Sequence, residues 1–99
     1  MVDELPSYIL DRRIEVTDST TEHVAGASIE EVRIKIDALD KRIARSFAKA
    51  WAFRQTSARK PSMYAVTDVE ERFGDIEATV LIVEGPQTRL KEIADSMDI

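Results

Sequence analysis

The chain reads as a single α+β domain spanning residues 1–99. The expected architecture is a small antiparallel sheet in β-α-β-β-α order, with one long amphipathic helix and a short C-terminal helix on one face. This is an incomplete ferredoxin-like arrangement. Three observations predict it. Apolar residues recur at helical spacing from Ile29 onward. The runs Met63–Val69 and Ile76–Glu84 are strand-like, the second rich in β-branched side chains. Gly74-Asp75 and Gly85-Pro86 punctuate the second half. A hydrophobic fraction of 43% with 33% charged residues suits a globular domain and not a disordered tail.

Residues 1–7 are polar, contain Pro6 and are expected to fray. From Tyr8 to Thr17 the pattern has a period of two, with Leu10, Arg12, Ile14 and Val16 on one side and Asp11, Arg13 and Glu15 on the other. Arg12 on that apolar side suits a sheet edge, where a long cationic side chain can reach water. Residues 18–27 form a polar connection anchored by Val24.

A helix is expected to begin at Ser28. With Glu31 three residues later, Ser28 forms a capping box, and Pro61 stops the helix. Ile29, Val32, Ile36, Leu39 and Ile43 mark its apolar stripe, which then slips to Phe47, Ala50, Trp51 and Arg54. Such a helix would be roughly 45 Å long, more than a compact chain of this size spans. Either it kinks near Phe47 or one end projects. A projecting end needs cover, so a self-interface through Ile36, Leu39, Ile43, Phe47, Trp51 and Phe53 is expected.

The strand at Met63–Val69 is followed by a turn over Glu70–Asp75. In Ile76–Glu84, the stretch Thr79–Val83 is apolar on both faces and belongs in the middle of the sheet. Pro86 or Thr88 opens the last helix, with Leu90, Ile93, Ala94 and Met97 on one face. No internal repeat is legible. A strand missing from the sheet is expected to come from a second copy, because an open edge invites pairing.

Charge is unevenly placed. Residues 33–60 carry nine of the 14 Lys and Arg, against only Asp37 and Asp40, although the chain as a whole is −5. The acidic total opposes general attraction to nucleic acid or anionic membranes, but a local basic surface remains. The chain has no Cys, which removes disulfides, thiol catalysis and Cys-based metal sites and suits a cytoplasmic protein. Three glycines cannot write a phosphate loop or dinucleotide fingerprint. His23, the one histidine, sits among acids and hydroxyls and is expected to be solvated. The longest apolar run, Val80–Val83, is too short to span a bilayer.

The candidate binding constellation is Trp51, Arg54, Arg59, Lys60 and Tyr64, with Arg12 and Arg33 added where subunits meet. Aromatics beside cations can hold a small organic anion or stack on nucleic-acid bases. Residues 29–60, beginning Ile-Glu-Glu-Val-Arg-Ile-Lys-Ile-Asp-Ala-Leu-Asp-Lys-Arg-Ile, resemble the first helix of the all-helical chorismate mutases. In that resemblance Arg33 matches the family's first substrate-binding arginine, and Lys60 lies within one residue of its lysine. The family's second arginine falls at about Ala50, and strand-like sequence stands where its other helices would be. The expected function is a non-enzymatic, homo-oligomeric interaction module assembled through the long helix, with no cofactor or metal. The alternatives are a site for a small organic anion at a subunit boundary, with or without catalysis, and an anionic partner on the basic helix, nucleic acid being the less expected.

Overall fold

The computed structural model describes residues 12–24, 26–57 and 61–97. Its elements run β1 (Ile14–Val24), β2 (Ala27–Ile36), α1 (Lys41–Ser57), β3 (Ser62–Arg72), β4 (Asp75–Glu84) and α2 (Gln87–Met97). The α+β class and the antiparallel sheet are as expected, with one strand more. The strand order is β1-β2-β4-β3, every neighbour antiparallel, an open ferredoxin-like arrangement. Since β2 and β3 both pair antiparallel with β4, they run parallel to each other, and α1 connects them over the sheet. The strand expected to come from a second copy is supplied by residues 27–36 of the same chain, which form β2.

The helix expected from Ser28 begins at Lys41 instead. Residues 28–36 satisfy two periods at once. The helical stripe leaves Ile34 on a polar face, whereas the alternation Val32-Arg33-Ile34-Lys35-Ile36 buries all three apolar residues. The structure takes the second, and Ile34 is 0% exposed. Its β-branched side chains also favour a pleated surface. Ser28 is therefore no helix cap; it pairs with His23 on one side and Glu84 on the other. The cap is Asp40, whose carboxylate accepts the Ile43 amide at 2.8 Å while its carbonyl accepts the Ala44 amide.

The polar connection at 18–24 is also corrected, because it continues β1. An edge strand solvated on both faces needs no apolar alternation, and Thr17, Thr20, Thr21 and Val24 suit an extended backbone. Arg12 and Arg13 are helical and exposed, so Arg12 is not on a strand face. Tyr8–Asp11 and the fraying expected at 1–7 lie outside the described residues.

The main core lies between α1 and the sheet, and Val83 and Leu90 are buried outside it. On α1 the row Ala44, Ala48, Ala52 and Thr56 is buried, and the adjacent row Lys41, Arg45, Lys49, Phe53 and Ser57 is exposed. The alanines meet Val32, Ile34 and Ile36 of β2, Ile76, Ala78, Val80 and Ile82 of β4, and Val69 of β3. Phe47, Trp51 and Tyr64 pack around the margin. At 17 residues α1 is roughly 25 Å long, within the 39 Å longest dimension of the molecule.

The two hairpins resemble each other, which the sequence conceals. Each pairs an 11-residue strand with a 10-residue one and turns at a glycine of positive φ, Gly26 or Gly74. Each outer strand also carries a bulge within a Val-Thr-Asp triplet, at Thr17 and at Thr67. The Thr17 hydroxyl donates to the Arg33 carbonyl, and the Thr67 hydroxyl to the Thr79 carbonyl. Arg33 and Thr79 are themselves paired at the centre of the sheet.

At the β3–β4 turn Phe73 adopts φ 53° ahead of Gly74 at 84°, the pattern of a two-residue hairpin turn with both central residues left-handed. A phenylalanine tolerates that region poorly, and its ring is fully exposed. Beyond β4, α2 lies beside the start of β3, where Leu90 is buried.

Two substitutions test this account. Asp40→Ala removes the α1 cap and is expected to cost about 1 kcal/mol in chemical denaturation; an unchanged midpoint would show that the cap contributes nothing. Phe73→Asn suits the left-handed turn and is expected to raise stability by about 1 kcal/mol. A lower melting temperature would mean that the phenyl ring makes contacts the fold depends on.

Candidate interaction surface

The row Lys41, Arg45 and Lys49, with Arg42 beside it, makes the outward side of α1 a cationic strip. All four side chains are exposed, and none forms an ion pair among the described residues. The strip follows from packing. A row of alanines turned to the sheet leaves the neighbouring row, one residue further along, in water. The helix contains no acid, so no partner lies one turn away. Phe53 continues the strip and is 43% exposed.

The other side of the sheet is different. Strand alternation turns Arg33, Lys35, Glu77 and Thr79 away from α1, and the register sets Asp18, Arg33, Thr79 and Asp68 in one row across all four strands. Glu31 and Glu77 flank that row diagonally. Glu70 faces Glu77 across β3 and β4, a repulsive placement that Arg72 offsets by pairing with Glu70 at 2.7 Å. Lys35 reaches Asp75 at 3.5 Å. What remains around Arg33 is an excess of carboxylates on an exposed surface.

A third feature is a groove of about 740 Å³ along the outer edge of β3. Phe53 and Thr56 of α1, Met63 and Tyr64 of β3 and Leu90 of α2 line it. The Thr56 hydroxyl donates to the Ala52 and Phe53 carbonyls, and the Ser62 hydroxyl donates to the Thr56 carbonyl, so these polar groups are already engaged.

The residues singled out from sequence do not share one surface. Arg12 lines a polar cleft at one end of the sheet with Arg13, Lys35, Asp37 and Asp75. Arg33 lies on the sheet face turned from α1. Trp51 packs against the core. Tyr64 lines the β3 groove, half-buried Arg54 is on the last turn of α1, and Arg59 and Lys60 lie outside the described residues. Of the residues expected in a self-interface, Ile36 is buried within the chain, and Ile43, Phe47 and Trp51 are partly covered. Leu39, at 91% exposed, and Phe53 stay accessible. The sequence did not single out Asp18, Asp68 or Thr79, since only the register brings them together. Their one signal is the repeated Val-Thr-Asp.

His23 is exposed on β1 opposite Ser28. Among the described residues no three His, Asp or Glu side chains gather to hold a metal ion, and no helix is long and apolar enough to cross a membrane. The resemblance to the helical chorismate mutases fails at its first residues, because 29–36 are strand and Arg33 is not on a helix. No family model, no curated protein and no solved structure matches the chain.

Proposed function

We propose that this protein is a non-enzymatic interaction module that self-associates through the outer side of α1. The observation that supports this reading is the strip Lys41, Arg42, Arg45 and Lys49, which is exposed, cationic and without an ion-pair partner among the described residues. Its chemistry suits an acidic surface, and a chain of net charge −5 supplies one on every other copy. The self-interface first expected was apolar; the geometry favours a charged one, since most of the apolar helix residues are used within the fold.

Light scattering on a size-exclusion column tests the proposal. At low ionic strength the mass is expected to exceed the 11.2 kDa of one chain and to fall toward it as salt is raised. A single-chain mass at every salt concentration would overturn the reading, and so would an oligomer indifferent to salt.

A second reading is a binding site for a small organic anion. The β3 groove supports it: its volume is in the range of ligand sites, and Phe53, Tyr64 and Met63 offer an apolar bed. Lys91 of α2 lines the adjoining surface and would supply a cation. A thermal-shift panel of aromatic carboxylates and phosphates is expected to raise the melting temperature for at least one compound. A panel that leaves it unmoved would remove this reading.

A further inference from the structure

We infer that the surface receiving α1 is the open face of the sheet on a second copy, centred on Arg33 and Thr79, so that assembly runs head to tail without closing. The inference rests on the self-association proposed above and names its acceptor.

Three features lead to it. The first is sign and spacing. Asp18, Glu31, Asp68 and Glu77 surround Arg33 and Thr79, and all four acids are exposed. Asp18 and Asp68 are three strand spacings apart, about 14 Å. Lys41 and Lys49 are eight helical residues apart, about 12 Å. A helix laid across the strands sets its cations over these carboxylates.

The second is that the edges are poor alternatives. A copy could extend the sheet at β1 or β3, but both strands are bulged, at Thr17 and Thr67, within their Val-Thr-Asp triplets. Bulges interrupt the regular row of donors and acceptors that an incoming strand would use.

The third is placement. The cationic strip and the acidic face lie on opposite sides of the same sheet, with the core between them. In a pair related by a two-fold axis a helix-to-sheet contact would have to form twice, and patches on opposite sides of one sheet cannot both face the same partner; a pair joined by like patches would set cation against cation or acid against acid. Complementary contact joins the helix of one copy to the sheet of the next. Each added copy then leaves one helix and one sheet face free.

Two neutralised variants test this, each at exposed positions and each checked for unchanged circular dichroism and melting. The helix variant carries Arg45→Gln and Lys49→Gln; the sheet variant carries Asp18→Asn and Asp68→Asn. Wild-type mass by light scattering at low salt is expected to climb with concentration past two chains without levelling. Each variant alone is expected to stay at 11.2 kDa. An equal mixture is expected to reach two chains and stop, because only one productive contact can form. If the sheet variant assembles like wild type while the helix variant does not, the acceptor is wrong and the role of α1 stands. A wild-type mass that levels at any fixed number of chains would overturn open-ended assembly alone. If both variants assemble like wild type, the inference and the reading beneath it fail together. A wild type that stays single and binds single-stranded nucleic acid through α1 would overturn both in favour of an anionic polymer.

Discussion

The close seating of α1 on β3 and β4 is the constraint from which the other features follow. Alanines at 44, 48 and 52 give the helix a side without bulk, so the backbone can approach a sheet surface that includes Val69, Ala78, Val80 and Ile82. The same contact fixes which way everything else points. One row of the helix is given to the core, so its neighbour faces water with its charges. One face of each central strand is given to the core, so Arg33, Thr79 and the surrounding acids are left on the other. The charge separation of the molecule is the by-product of the packing between α1 and the sheet.

Parts of this were legible in the sequence, for identifiable reasons. β3 and β4 are bounded by Pro61, Gly74 and Gly85, and their composition permits little else. The lower part of the helix was legible from its stripe around Phe47 and Trp51. The boundary between β2 and α1 was not, because residues 28–36 satisfy two periods at once, and a capping pattern at Ser28 and Glu31 favoured the wrong one. What settles it is tertiary: Ile34 finds a buried place only in a strand flanked by β1 and β4. β1 was half legible, since an edge strand in water on both sides carries no apolar alternation to read.

The surfaces were legible as charge and illegible as geometry. Nine cations between Arg33 and Lys60 stand out in the chain, but the break at residues 37–40 sends Arg33 and Lys35 to the sheet and Lys41, Arg45 and Lys49 to the helix. A run continuous along the sequence is therefore divided between opposite sides of the fold. The acids around Arg33 come from all four strands, and no local pattern could have announced them. Only the pairing of the strands does so.

The likeness of the two hairpins has a bearing on recognition. A half-turn about an axis through the Arg33–Thr79 pair carries Asp18 onto Asp68 and Glu31 onto Glu77, because the bulges at Thr17 and Thr67 sit at matching places. An elongated ligand with evenly spaced positive charges therefore meets nearly the same acids in either of two opposite directions. Arg33 against Thr79, Lys35 against Leu81 and Thr20 against Glu70 distinguish one direction from the other. The four acids set no orientation by themselves, so polarity in anything bound there must come from those unlike pairs or from the ends of the ligand.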